Sequence, residues 1–192
     1  MYTLFLGEPI ATAILLIIII GIVIKSAVIV KAGCIALLMG IAFFRVPEYK
    51  APSDGRIYSP TYGTVTKISE MNGMTTLTVF LSPLDVHVQF APTDGVLISQ
   101  KYVPGKYNLA FDKDSEKNER LISVFATKYG PITLEQVAGF VVRRIVCWKK
   151  IGDHVTTGEP FGMIKFGSQV KITFPGKTDV VASTITPLVV LR

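Results

Sequence analysis

The chain has 192 residues, two cysteines, two histidines and a formal net charge of +6. That length holds one compact domain plus a membrane segment and leaves no room for a second catalytic domain. The basic residues are scattered rather than gathered into Lys/Arg runs interleaved with aromatics, which argues against nucleic acid as a partner and suits a surface lying beside anionic lipid head groups.

Apolar residues make up 49% of the chain, and the excess is concentrated at 10–44, IATAILLIIIIGIVIKSAVIVKAGCIALLMGIAFF. One unbroken helix there would exceed the roughly 20 residues that span a bilayer, and Lys25 and Lys31 divide it. The pattern predicts a hydrophobic helical hairpin, 8–24 and 27–44, with each arm slightly short of a full crossing. No basic region precedes the apolar run and no clean cleavage site follows it, so the hairpin reads as a retained anchor rather than a signal peptide. A spanning hairpin would carry both lysines to the far side, against the usual bias of basic residues toward the cytoplasm. A monotopic hairpin that dips in and returns avoids the conflict. The expected division is a membrane anchor at 1–46 and a β-rich domain at 47–192, the latter on the cytoplasmic side of the cell's inner or plasma membrane.

Residues 47–62 are rich in Pro, Ser, Gly and Asp and read as an extended linker. Short β-rich runs alternate with turn signals beyond it, at 64–69, 75–81, 85–90, 95–101, 121–127, 137–148, 161–166, 170–174 and 180–182. Such spacing predicts a mainly β fold, a sandwich or barrel. The polar stretch 113–120 reads as a surface loop. The run GDHVTTGE at 152–159 resembles the turn joining two strands in lipoyl and biotinyl carrier domains. No lysine stands in the setting that a carrier modifies. Cys34, in the apolar segment, and Cys147, in a predicted strand, are assigned to packing, and neither has metal-ligand spacing.

Three places can carry chemistry. In FGMIKFGS, Ser168 follows Gly167 between two predicted strands, where a strained serine could attack the preceding carbonyl and cut its own chain. A Gly-Ser pair also marks a plain turn or bulge. In SPLDVHVQFAP, strand alternation puts Asp85, His87 and Gln89 on one face and Val86, Val88 and Phe90 on the other. His87 is then a structural hydrogen-bonding residue or a proton carrier. His154, in the GDHVTTGE run, is expected in a turn and exposed. Arg143 and Arg144 form a strand pair with one pointing out and one in, and a guanidinium can hold a phosphate or carboxylate by paired hydrogen bonds.

The series Phe43-Phe44-Arg45, SPLDVHVQFAPTDG, Asn118-Glu119-Arg120, VAGFVVRRIV and FGMIKFGS resembles, in order and spacing, the short bacterial and archaeal form of phosphatidylserine decarboxylase. That resemblance implies a proenzyme that cuts itself between Gly167 and Ser168, leaving two chains as a heterodimer and converting Ser168 into a pyruvoyl group. The ketone would form a Schiff base with the serine head group of a phospholipid and accept the electron pair released with carbon dioxide. His87 matches the proton donor, and Arg143 or Arg144 would bind substrate.

One position departs from the family. An SPADG-like segment supplies an aspartate that helps the histidine activate the serine, and here the chain reads Ser59-Pro60-Thr61-Tyr62-Gly63. A phenol cannot replace a carboxylate that stabilises an imidazolium. Asp54, in Ala51-Pro52-Ser53-Asp54-Gly55, is the substitute by letters though not by spacing, and it is equally a turn residue before Gly55. Phe90 stands where longer family members carry a second histidine. Alternatives to the decarboxylase are an unprocessed relative that binds lipid head groups, and a carrier-like interaction module. A serine hydrolase is weaker, because Ser168 lacks a G-x-S-x-G elbow.

Overall fold

A computed structural model of the chain describes residues 2–3, 8–48, 56–105, 118–139, 144–165, 168–180 and 184–185. The chain divides into two compact units, Met1–Glu48 and Tyr49–Arg192.

In the first unit, β1 (Tyr2–Thr3) pairs antiparallel with β2 (Arg45–Val46), and between them lie α1 (Pro9–Val23) and α2 (Ala27–Phe43). Pro9 stands in the first turn of α1, where a missing N–H costs nothing. The helices are separated by a turn in which Lys25 takes a left-handed conformation (φ 53°) and Ser26 N–H donates to Gly21 O at 2.8 Å. They touch because Gly33 has no side chain: a Cβ there would fall 2.4 Å from Ile18 Cγ1. At 1.5 Å per residue they measure about 22 and 26 Å, short of the roughly 30 Å of a hydrocarbon core. No helix among the described residues is long and apolar enough to cross a membrane. Both leave large apolar side chains exposed, among them Leu16, Ile20, Val28, Leu38 and Met39.

The second unit is built from two antiparallel sheets. The larger contains β3 (Gly63–Met71), β4 (Met74–Leu81), β6 (Gly95–Val103), β7 (Arg120–Thr127), β8 (Gly130–Ala138), β10 (His154–Val155), β12 (Ser168–Pro175) and β13 (Thr184–Ile185), in the order β10-β6-β7-β8-β12-β4-β3-β13. The smaller contains β5 (Val88–Phe90), β11 (Pro160–Lys165) and β9 (Arg144–Cys147), with β11 central. The expected mainly β class is present. Among the described residues the barrel alternative is not, since the larger sheet ends at β10 on one side and β13 on the other and does not close.

Alternation builds the interior: on β12, Val170, Ile172 and Phe174 are fully buried while Lys171 and Thr173 are not. Leu77 and Leu134 meet them from β4 and β8. Phe125 of β7 and Phe161 of β11 join the sheets by an edge-to-face contact, centroids 5.6 Å apart at 87°, an arrangement worth about 0.5–1.5 kcal/mol beyond burial.

Several predicted elements differ from those found. The run 137–148 is not one strand: β8 ends at Ala138, Gly139 is irregular, 140–143 lie outside the described residues, and β9 starts at Arg144. β8 itself is GPITLEQVA, whose Gly, Pro, Glu and Gln hide a strand. The predicted 85–90 strand is only Val88–Phe90, and every residue from Val86 to Phe90 is buried rather than alternating, because the other sheet covers one side and residues 57–62 the other. His154 is exposed but lies in β10, opposite Val96, not in a turn. Of the predicted 180–182 strand and 113–120 loop, Val180 is irregular, Arg120 opens β7, and 113–117 and 181–182 lie outside the described residues.

Asp94 clamps two turns together. Its Oδ1 accepts from Thr157 N–H and Thr157 Oγ1, both at 2.7 Å. The backbone bond first and the hydroxyl second hold its carboxyl below the ordinary aspartate range. A depressed folded-state value gives stability that is present above the ordinary aspartate value and lost as pH falls through the depressed one. Asp94→Asn should lower the thermal midpoint by a few degrees at pH 7, and the difference from the native protein should shrink as pH falls below the ordinary aspartate range in a thermal melt series.

Candidate functional site

The segment that carries His87 is fastened at both ends to the strands flanking the Gly167-Ser168 junction. Leu81, the last residue of β4, stands opposite Ser168, the first of β12. On the other edge Ser168 stands opposite Ala138, the last residue of β8. Ala138 is fixed in turn by its N–H donating to Glu119 O and its carbonyl accepting from Asn118 Nδ2, each at 2.9 Å. After Leu81 a turn closes reciprocally: Asp85 N–H donates to Ser82 O at 2.9 Å and Ser82 N–H donates to Asp85 Oδ2 at 2.8 Å. The carboxylate of Asp85 thus serves the turn.

His87 is fully buried. Its Nδ1 lies 2.9 Å from Asp85 O, and because a carbonyl only accepts, Nδ1 carries a proton and donates it there. The His87 carbonyl accepts from Ile164 N–H at 3.1 Å and from Gln89 Nε2 at 2.8 Å. Ile164 belongs to β11, three positions before Gly167. The histidine is therefore backbone-bonded to the strand entering the junction, while the start of its own segment pairs with the strand leaving it.

Behind it runs a polar seam. Gln136 of β8 donates from Nε2 to Gln89 Oε1 at 2.8 Å, joining the two sheets. Both glutamines are fully buried. Gln136 Oε1 is buried with no hydrogen-bond partner among the described residues, a situation that costs about 1–3 kcal/mol. Gly162 of β11, opposite Gln89, makes the passage: a Cβ at 162 would lie 3.2 Å from Gln136 Nε2 and 2.6 Å from Val146 O.

The sequence-predicted residues fall as follows. Ser168 opens β12, and the His87 carbonyl accepts from Ile164 N–H of β11, three residues ahead of Gly167. Arg144 is the first residue of β9, exposed, and opposite Lys165. Asp54, Arg143 and Gly167 lie outside the described residues. Tyr62, at the position of the missing aspartate, packs edge-on against Phe90 with centroids 6.5 Å apart. It reaches the His87 segment, since Phe90 N–H donates to Pro60 O at 2.8 Å. Cys34 is exposed on α2 and Cys147 half-buried in β9, both as free thiols. No group of three or more His, Cys, Asp or Glu that could hold a metal occurs among the described residues.

Sequence reasoning missed Gln89's partner Gln136 and Lys165, which is only 9% exposed two positions before Gly167. A glycine inside the apolar strand FGMIK was the available signal for the first, since it marks a close approach to the backbone. A lysine at the end of a buried strand was the signal for the second.

The model of the phosphatidylserine decarboxylase family matches residues 41–187, from the end of α2 through β13. The chain belongs to this family. It is 44% identical over 143 residues to the phosphatidylserine decarboxylase proenzyme of Thermobifida fusca, covering 73% of this chain and 65% of that protein. It is 45% identical over 139 residues to that of Streptomyces griseus, covering 72% and 64%. To that of Chlorobaculum parvum it is 41% identical over 155 residues, covering 77% and 72%. The chain thus spans just under two thirds of the first two relatives.

Gly162→Ala should destabilise the protein by about 1–3 kcal/mol, because a methyl there meets the Val146 carbonyl as well as the amide seam. Denaturant titration of the full chain checks this.

Proposed function

We propose that this member of the phosphatidylserine decarboxylase family is a proenzyme that cuts itself between Gly167 and Ser168 and then decarboxylates phosphatidylserine to phosphatidylethanolamine. The observation that carries the reading is the fastening of the His87 segment to β12 at Ser168 and to β11 at Ile164. The relatives at 44% and 45% identity are named as proenzymes, which supports processing.

The residues present fit a pyruvoyl group made from Ser168. The junction is Gly-Ser, and the strand beginning at Ser168 is paired along both edges, so the new terminus stays seated once the bond breaks. Attack of the serine hydroxyl oxygen on the Gly167 carbonyl carbon forms an ester and frees the amine. Loss of the Cα proton expels the Gly167 carboxylate and leaves dehydroalanine. Water replaces the nitrogen, which departs as ammonia, and a ketone remains. That ketone supplies the electron sink for loss of carbon dioxide.

His87 moves the protons. With Nδ1–H held on Asp85 O, Nε2 is the nitrogen that takes a proton from the serine hydroxyl during the cut and returns one to the substrate carbon after carbon dioxide leaves. Asp54 is retained as the candidate helper carboxylate, and Arg143 and Arg144, with Lys165 opposite the latter, as the cations for substrate phosphate or carboxylate. The cut chains remain together as a heterodimer.

The exposed apolar faces of α1 and α2 support a helical hairpin that holds the enzyme at a membrane. A monotopic insertion from the cytoplasmic side fits their length. The likeness to a lipoyl or biotinyl carrier domain concerns shape alone. It rests on the 152–159 turn, where Asp153 Oδ2 accepts from Lys150 N–H at 2.8 Å and Glu159 Oε2 from Thr156 N–H at 3.1 Å.

Intact mass spectrometry of the protein from a native-like host should find two chains, the smaller starting at 168 with a pyruvoyl terminus. Ser168→Ala should stay in one piece, and His87→Ala should slow the cut by about 100-fold or more. A single uncut native chain, with no carbonyl trapped by borohydride plus substrate, overturns the reading.

A second reading, an unprocessed relative that binds lipid head groups, is favoured by the Tyr62 ring against Phe90. Tyr62→Asp separates the two. If cleavage first appears with this substitution, the native chain is the unprocessed form, and if native protein already cuts, the second reading falls.

A further inference from the structure

We propose that Gln89 and Gln136 are positioning residues for His87, a two-amide chain that fixes the histidine against β8, the strand paired with the one Ser168 opens. The inference rests on the decarboxylase reading and adds to it two residues acting through a third.

The direction of the chain is forced. The His87 carbonyl can only accept, so Gln89 must present its NH₂ to it and its Oε1 to Gln136. Gln136 must then present its own NH₂, leaving its Oε1 as a buried acceptor with no hydrogen-bond partner among the described residues. Gln136 sits on β8 opposite Val170 of β12, and two residues further along both strands Ala138 is opposite Ser168. The amide chain thus measures off the His87 backbone from the same strand pair that holds the serine.

Stability alone does not account for this arrangement. Methionines at both 89 and 136 would fill the space without stranding a polar atom of either amide, and replacing both partners of a buried bond by apolar groups of similar shape is neutral or favourable. The protein instead keeps a polar seam through the interior between its sheets, made possible by the absent side chain of Gly162.

The test uses Gln136→Met, Gln89→Met and the two together in the full chain, with four readouts: thermal midpoint, rate of self-cleavage on denaturing gels, kcat and KM for phosphatidylserine in mixed micelles, and the NMR signals of the His87 ring. The chain has only two histidines, so the signals that survive His154→Gln are those of His87. The expected result is a thermal midpoint lowered by a few degrees in each single variant, where the remaining amide loses its partner, and unchanged in the double variant Gln89→Met/Gln136→Met. Cleavage and kcat should be lowered by about 10- to 100-fold in all three, with KM within about twofold and His87 ring signals shifted and broadened. Native cleavage and kcat with unchanged ring signals overturn the proposal, as does a change confined to KM or to the thermal midpoint. If Gln136→Met does not fold, Gln136→Leu supplies the same comparison. Should the native chain neither cut nor decarboxylate, the decarboxylase reading falls, and the ring signals alone decide: altered in Gln136→Met they sustain the positioning role, unaltered they remove it.

Discussion

β12 lies in the interior of the larger sheet, bonded to β4 from Ser168 to Pro175 and to β8 from Ser168 to Thr173. Everything else in the second unit is arranged around that strand. Its inward residues are core, its first residue is Ser168, and the segment leaving β4 opposite that residue carries His87. A strand bonded on one edge could fray at its end, whereas bonding on both edges removes that freedom and fixes the backbone at 168.

The same unit tolerates a polar seam in an otherwise apolar interior. Leu77, Leu134, Ile172 and Phe174 give the fold its burial, and Phe125 with Phe161 locks the sheets face to face. Into this run Gln89 and Gln136, linked to each other and to the His87 carbonyl. Buried amides in a low-dielectric interior are strongly held when satisfied and costly when not. Position, rather than stability, is what such a seam supplies.

Much of this was legible in the chain. The apolar run at 10–44, broken by two lysines, announced two short helices, and their ends fall within a residue of those expected. Strands with β-branched alternation, such as Val170 to Phe174, were equally plain. What escaped had physical reasons. β8 is written with Pro131, Glu135 and Gln136, and its pairing on both edges overrides their poor strand propensity. Around His87 the alternation rule failed because the larger sheet covers one side of β5 and residues 57–62 the other, so no polar side was needed. The proposed site residues Ser168 and His87 each stand in a local run of the sequence, whereas Gln136 is 47 positions from Gln89 and Lys165 acquires meaning only from its place opposite Arg144.

The central placement of β12 also bears on when a cut at its head could be made. Val170, Ile172 and Phe174 are buried only through pairing with β4 and β8, so this strand has no core of its own. It finds its place while tethered to the rest, so the proposed cut between Gly167 and Ser168 would follow folding rather than precede it. Once severed and unfolded, the two pieces would face a bimolecular search in place of a loop closure, and denaturation of the mature form should be practically a one-way step.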